Sequence, residues 1–158
     1  MRACLAVVPL LVLSCCGYSA KSLLPPHLRT VALNPAENST SRPGIGDDFQ
    51  VALEDAFNRD RNLRITAIEN ADLAVSTTVT AYVRLPSAYD AAQNITAYDL
   101  SVSASVDAED RVKTEEFFSQ IVSARITYDP ESESEDEAAL RAVEKLAEEV
   151  VGRIITTW

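Results

Sequence analysis

Two neighbouring segments in which apolar and polar residues strictly alternate constrain the fold most. Such alternation predicts β-strands with one buried face and one solvent-facing face. The first alternating set is Leu73, Val75, Thr77, Val79, Ala81 and Val83, and the second is Tyr98, Leu100, Val102, Ala104 and Val106. Two long strands with one apolar face each require a second layer to cover that face. We therefore expect an antiparallel sheet covered on one side.

Two segments with helical spacing supply the covering layer. Residues 43–59 carry apolar side chains three and four positions apart, and residues 134–154 begin with the capping-box spacing of Ser134 and Glu137. The two stripes are Ile45, Phe49, Leu53, Ala56 and Phe57, then Leu140, Val143, Ala147, Val150, Val151 and Ile154. Both helices need the same apolar sheet face to bury these stripes.

Shorter patterns complete the element order. We expect strands at residues 29–33, 63–68 and 115–128, loops at 34–46 and 86–93, and a charged turn at 107–113. The facing of the strand at 115–128 stays undecided. The order β-α-β-β-β-β-α predicts one α+β domain over residues 28–158, a two-layer sandwich of a mainly antiparallel sheet with two helices packed on one face.

The solvent-facing side of the two alternating strands is rich in hydroxyl groups and nearly free of charge. We expect its members to be Ser76, Thr78, Thr80, Ser101, Ser103 and Ser105, with Tyr82 at the margin. Such a surface is either an ordinary solvated sheet face or a docking surface for a protein partner. Small hydroxyl side chains suit docking because they lose little entropy when immobilised and form hydrogen bonds.

The amino terminus is typical of an exported lipoprotein. Arg2 precedes a short apolar run to Leu13, which is too short to span a bilayer and ends in Ser14-Cys15-Cys16. This ending resembles a lipobox, and it favours lipidation of Cys16, with Cys15 as the alternative and an ordinary secretory signal as the competing interpretation. We therefore expect a signal peptide at 1–15 and a lipidated tether at 16–27.

Charge and composition exclude several function classes. Acidic residues number 24 against 14 basic ones, so nucleic acid binding is not expected. The densest basic cluster is Arg59, Arg61 and Arg64, which is either a solvated loop or a contact for an anionic glycolipid. The single histidine, His27, lies in the tether, where we expect a surface residue without a fixed partner. The acidic run at 129–137 lacks the calcium-loop pattern. No catalytic motif, metal site or cofactor is expected.

Several short motifs in order resemble the LptE family of lipopolysaccharide-assembly lipoproteins. They are Cys16-Gly17-Tyr18, the segment from Leu24 through Leu33, the segment from Asn38 to Gly44, Phe57-Asn58-Arg59-Asp60, Ala71-Asp72-Leu73 and Ala97-Tyr98-Asp99-Leu100. The resemblance implies a non-catalytic outer-membrane lipoprotein inside the lumen of the β-barrel LptD, where it helps deliver lipopolysaccharide to the outer leaflet. The hydroxyl-rich face then becomes a candidate lumen contact.

Two other function classes compete with this interpretation. A lipoprotein that regulates a cell-wall synthase or supports another envelope secretion complex would use the same tether and a similar strand-helix-strand opening. A periplasmic hydrolase would need two carboxylates that converge in a cleft, and Asp90, Asp99 and Asp107 are the available candidates.

Overall fold

The computed structural model describes residues 24–156. The signal peptide and the predicted lipidation site at Cys16, or Cys15, lie outside the described residues. The strands are β1 (Thr30–Leu33), β2 (Glu37–Asn38), β3 (Arg64–Ile65), β4 (Leu73–Tyr89), β5 (Ile95–Asp110) and β6 (Glu115–Tyr128). The helices are α1 (Ile45–Asp60) and α2 (Glu135–Thr156), with one 3-10 turn at Ile68–Asn70.

The strands form one mixed sheet in the order β3-β1-β4-β5-β6, and β2 pairs with β4 beyond the end of β1. The short strands run parallel to their neighbours: β1 pairs with β3 and β4, and β2 with β4. The three long strands β4, β5 and β6 are antiparallel. The lengths of the connections explain this arrangement. Short hairpins join the antiparallel long strands, whereas the parallel strands β1 and β3 need the longer crossover that α1 provides.

Both helices pack on one face of the sheet and enclose a single apolar core. Phe49, Leu53 and Phe57 of α1 and Leu146 and Ile154 of α2 are almost fully buried. Their partners in the sheet are the alternate apolar residues of β4, β5 and β6. The predicted two-layer α+β fold is therefore confirmed. The loop predicted at 34–46 differs in detail, because it contains the short strand β2.

Two glycines allow α1 to begin close to β2. Gly44 precedes the helix with φ of 79°, a conformation that is costly for residues with a Cβ atom. A Cβ atom on Gly46 would lie 3.1 Å from the carbonyl oxygen of Ala36. The absence of side chains at these positions thus lets the helix turn back tightly over the sheet.

The capping box at the start of α2 is confirmed. The backbone N–H of Ser134 donates to the carboxylate of Glu137 at 2.9 Å, and the N–H of Glu137 donates to the Ser134 hydroxyl at 3.3 Å. The predicted burial of Leu140 in the apolar stripe of α2 was wrong, because its side chain is 47% exposed. Ala139 and Ala142 are buried instead, because close packing against the sheet and α1 favours small side chains on that part of the helix.

The second half of β4 departs from the sequence prediction. The strand continues through Pro86 to Tyr89, where a loop was expected. Proline is tolerated there because no described strand pairs with the outer edge of β4 beyond Val79. The register with β5 also shifts between Val79 and Ala81. This β-bulge reverses which residues of β4 face the helices as far as Pro86, where the register with β5 shifts again.

Candidate partner-binding surface

The face of β4, β5 and β6 opposite the helices is uncovered by any element in the described part of the chain. At its centre lie Ser101, Ser103 and Ser105 of β5, each half-buried between the neighbouring strands. Ser103 is paired with Ala81 on β4 and with Ser123 on β6. We call these three strands' outward residues the open face. The structure thus places the predicted serines of β5 together, as expected.

Cross-strand hydrogen bonds hold the hydroxyl groups of the open face in fixed positions. The hydroxyls of Ser103 and Ser123 lie 2.8 Å apart. Ser119 donates to Asp107 at 2.7 Å, and at the other end of β5 Thr127 donates to Asp99 at 2.7 Å. Because these side chains are already ordered, a partner would bind them with a small further loss of conformational entropy.

Two of the three threonine and serine positions predicted on β4 are also part of this face, and the third lies at the bulge. Ser76 is exposed and accepts a hydrogen bond from the Asn34 amide at 2.9 Å. Thr78 is half-buried opposite Ser105. Thr80 is the residue left unpaired by the bulge, and its hydroxyl donates to the carbonyl of Ser103 at 3.3 Å.

Apolar side chains that were not expected there also lie on the open face. Val83 is 44% exposed opposite Ser101, and Ile121 is 67% exposed opposite Ser105. Leu85, opposite Asp99, is 60% exposed. The open face therefore combines ordered hydroxyl groups with exposed aliphatic groups, a mixture that suits a protein interface better than an ordinary solvated sheet.

Tyr82 does not belong to this face, so its assignment as a marginal member was wrong. After the bulge it is paired with the buried Val102 and lies on the helix side. Its hydroxyl donates to Glu135 at 2.8 Å and accepts from Arg42 at 3.1 Å. Burial, reinforced by the bond to Glu135, raises the pKa of Tyr82 well above its usual range. The same bulge brings Val83 to the open face.

Tyr82 is part of a polar and aromatic cluster that fastens the start of α2 to the sheet. The Arg42 guanidinium lies 4.8 Å from the Tyr82 ring centre, and Arg84 lies 4.5 Å from the Tyr98 ring centre. Arg84 also pairs with Glu135, and the Tyr98 ring stacks on Tyr128 with centroids 5.7 Å apart. Sequence reasoning missed this cluster because its members come from five separate segments with no local motif.

The three arginines proposed as a glycolipid contact lie around the carboxyl end of α1. Arg59 forms an ion pair with Glu148 of α2 at 2.7 Å. Arg61 caps the helix with φ of 65°, and its N–H donates to the Phe57 carbonyl at 3.1 Å. Arg64 begins β3, and its side chain is exposed. Only the Arg59 side chain is thus neutralised by an acidic partner in the described chain.

His27 has a fixed partner, contrary to the sequence prediction. Its Nε2 lies 2.6 Å from a carboxylate oxygen of Asp110, whose side chain is only 2% exposed. The other oxygen of Asp110 accepts hydrogen bonds from the N–H groups of Val112 and Lys113 at 2.9 and 3.0 Å. Burial tends to raise the pKa of Asp110, but these hydrogen bonds outweigh it and the pKa is lowered. The tether is therefore fastened to the sheet.

The carboxylates considered for a hydrolase do not converge. Asp99 and Asp107 are eight residues apart on β5, which corresponds to about 27 Å along an extended strand. Carboxylate pairs of glycosidases lie within about 10 Å of each other. Asp90 instead caps the β4–β5 turn through the N–H groups of Ala92 and Asn94. Within residues 24–156 there is no group of metal-ligating side chains.

Structural comparison identifies several proteins with the same fold. The hypothetical protein CT253 of Chlamydia trachomatis is 13% identical, with a TM-score of 0.61 over 80% of this chain and 95% of that one. PelC from a Paraburkholderia phytofirmans dodecamer is 14% identical, with a TM-score of 0.57 over 85% and 96%. A minor lipoprotein of Acinetobacter baumannii is 16% identical, with a TM-score of 0.54 over 84% and 95%. These likenesses show the fold alone.

A comparison with curated proteins found no match. No helix in residues 24–156 is long and apolar enough to cross a membrane.

The comparison with protein families is more specific. The model of the family LptE, described as lipopolysaccharide-assembly, matches residues 28–154, which is nearly the whole described domain. The resemblance inferred from the short motifs is thereby confirmed, and the chain belongs to the LptE family of non-catalytic, envelope-associated lipoproteins that act in lipopolysaccharide assembly.

Proposed function

We propose that this lipoprotein is anchored in the outer membrane through Cys16, with Cys15 as the alternative, and that its domain occupies the lumen of an LptD-type β-barrel. In that position it supports barrel assembly and the delivery of lipopolysaccharide to the outer leaflet. The family match supports the role in lipopolysaccharide assembly. The signal sequence supports the anchor, because a lipobox-like ending follows its apolar run.

The observation that carries the proposed partnership is the open face. The interior of a large membrane barrel is polar, and its wall presents alternating side chains and hydrogen-bonding groups. An ordered row of hydroxyls beside Val83 and Ile121 is complementary to such a wall. The opposite side of the sheet is unavailable for contact because α1 and α2 cover it. The open face is therefore the broad sheet surface that remains available for contact with a barrel.

Direct contact with lipopolysaccharide is a separate part of the proposal. Arg61 and Arg64 are exposed near the end of α1, and Arg59 beside them forms an ion pair with Glu148. Lipopolysaccharide carries phosphate groups, which arginine binds through paired hydrogen bonds. The large excess of acidic residues in the rest of the chain limits such contact to this local cluster.

The partnership is tested by purifying the tagged lipoprotein from outer membranes and measuring the amount of barrel protein that accompanies it. Thr78→Arg and Ser103→Arg place a large cation on the open face and should reduce recovery of the barrel. Asn58→Arg adds the same charge on the exposed side of α1 and should leave recovery unchanged.

Circular dichroism of the purified variants checks that each domain remains folded. Recovery of the barrel at wild-type level with both open-face variants would contradict the proposed interface. If no LptD-type barrel accompanies the wild-type protein, the partnership itself is wrong. Recovery of a cell-wall synthase or another secretion component in its place would support the competing function.

A further inference from the structure

A groove runs between the two helices on the side of the domain opposite the open face. The helices run in the same direction. Arg42, just before α1, pairs with Asp136 in the first turn of α2. Arg59, in the last turn of α1, pairs with Glu148 further along α2. Between them lies a depression of about 180 Å³. Because a cavity of about 150 Å³ is enough for a benzene ring, the depression has room for one large apolar side chain.

The floor of the groove is apolar, and two large aliphatic residues beside it are exposed. Ala52 and Ala56 of α1 and Val143 of α2 lie at the floor, where the short alanine side chains leave the space unfilled. Val51 on α1 is 61% exposed and Leu140 on α2 is 47% exposed, and both line the same depression. We call this region the interhelical groove. Exposed aliphatic groups on facing helices, with a gap between them, are typical of a surface that receives a partner's side chain.

Carboxylates line the interhelical groove on both helices. Its lining contains Asp48 and Asp55 of α1, Glu144 and Glu148 of α2, and a single base, Arg59. Arg59 pairs with Glu148 at 2.7 Å. The other three carboxylates are exposed and form no ion pair with any base in the described part of the chain. The groove is therefore negatively charged.

The bases elsewhere on the helices do not cancel this charge. α1 carries five acids and one base, and α2 carries six acids and three bases. Arg141 is close enough to Glu144 to be influenced by its charge, but its guanidinium bonds to Glu133. Lys145 and Arg153 bond to β6 on the other side of α2. The whole helical layer thus has the same sign of charge as the groove that it contains.

We propose that the interhelical groove binds a basic amphipathic helix of a protein partner. One aliphatic side chain of that helix enters the depression beside Val51 and Leu140, and its lysines or arginines face Asp48, Asp55 and Glu144. Charge complementarity selects this occupant, because the carboxylates repel acidic segments and anionic headgroups. The proposal requires neither the lipid anchor nor the barrel. Since the open face lies on the other layer, both surfaces are able to bind at the same time.

The spacing of the carboxylates fits such a helix. Asp48 and Asp55 are seven residues apart on one side of α1, which corresponds to about 10 Å along the helix axis. Two bases placed four residues before and three residues after an apolar anchor are the same distance apart. A partner helix that lies along α1 therefore pairs with both carboxylates while its anchor enters the depression between them.

The test is fluorescence anisotropy of a labelled synthetic helical peptide, titrated with the full protein purified from membranes in a nonionic detergent. The peptide carries a stripe of leucines with lysines along both margins, and in the control peptide glutamates replace the lysines. Micelles without protein give the background signal. We expect the lysine peptide to bind, more weakly in concentrated salt, and the glutamate peptide not to bind.

Matched charge variants locate the binding site. The groove variant removes three lining carboxylates through Asp48→Asn, Asp55→Asn and Glu144→Gln. The control variant removes three exposed carboxylates outside the lining through Asp47→Asn, Glu54→Gln and Glu149→Gln. At physiological salt the groove variant should raise the peptide's Kd about tenfold, and the control should change it less than about twofold, because screening confines the effect to nearby charges.

An aliphatic variant tests the depression without a change of charge. Combined Val51→Gln and Leu140→Gln should raise the Kd about tenfold, because the partner's anchor loses its apolar contacts. Leu85→Gln, at an equally exposed position on the open face, should leave the Kd unchanged. Circular dichroism checks that each variant is folded. If the triple groove variant does not fold, Asp55→Asn alone should still raise the Kd about twofold.

Equal binding of the two peptides, or equal effects of the groove variant and its control, would overturn the proposal. Unchanged binding to the aliphatic variant would also overturn it, since attraction would then depend on charge alone. Light scattering tests for a different occupant. Self-association of the protein without peptide, lost in both groove variants, would assign the groove to a second copy of this chain and contradict the proposed partner.

Discussion

Replacing Asp110 by alanine should destabilise the domain strongly, although Asp110 is neither apolar nor part of the proposed interface. Its buried carboxylate joins His27 of the tether to the turn after β5 through three hydrogen bonds. Removing a buried charge that accepts several hydrogen bonds leaves its donors unpaired, at about 1 kcal/mol for each. We therefore expect Asp110→Ala to lower the free energy of unfolding by about 3 kcal/mol.

Two further variants separate the contributions. His27→Ala removes only the tether contact and should cost about 1 kcal/mol, because the His27 side chain is 28% exposed and water partly replaces the bond. Asp90→Ala is the matched control. Asp90 caps a turn through similar hydrogen bonds, but it is exposed, so water replaces those bonds and its loss should cost much less than the loss of Asp110. Urea unfolding followed by far-ultraviolet circular dichroism measures all three.

The pH dependence provides an independent check. The pKa of Asp110 is lowered in the folded state, so its contribution to stability is present above the unfolded-state value of about 3.9. That contribution is lost as the pH falls through the folded-state pKa. The difference in stability between wild type and Asp110→Ala should therefore shrink below about pH 4. A neutral-pH loss similar to that of Asp90→Ala would refute the reasoning.

Two predictions concern the attachment of α2. Ser134→Ala removes the hydroxyl that caps the helix and should cost about 1 kcal/mol in urea unfolding. Ser132→Ala is the control with a smaller effect, because it removes only an exposed hydroxyl that donates to the Asp129 carbonyl. Tyr82→Phe keeps the ring but removes the hydroxyl bonded to Glu135, and it should cost about 1 kcal/mol. A Tyr82→Phe variant as stable as wild type would contradict the role assigned to the cluster.

The strand β5 shows where sequence reasoning succeeds. Its alternation from Tyr98 to Val106 correctly assigned every second residue to the core, because β6 pairs with it in continuous register over this stretch and the extra residue of the bulge lies on β4, not on β5. The period of two then determines the faces without further information. The capping box of α2 was equally predictable, since Ser134 and Glu137 interact within one turn of helix.

The strand β4 shows where such reasoning fails. Its alternation is correct as far as Val79, and the bulge then reverses the faces, so that Tyr82 lies toward α2 and Val83 lies on the open face. Nothing in the local pattern marks the bulge. It is stabilised by contacts that Tyr82 and Arg84 make with Glu135, which lies about fifty residues further along the chain.

Local sequence patterns were enough to predict the two-layer fold, the uncharged serine row of β5 and the family, and they led to the expectation of a lipid-anchored, non-catalytic protein. These properties depend on periodicity and on short motifs, which act over a few residues. The bulge, the apolar members of the open face and the pairing of His27 with Asp110 became visible only in the folded structure. Each of these depends on which distant strand lies alongside, and strand pairing is a long-range property that no local pattern encodes.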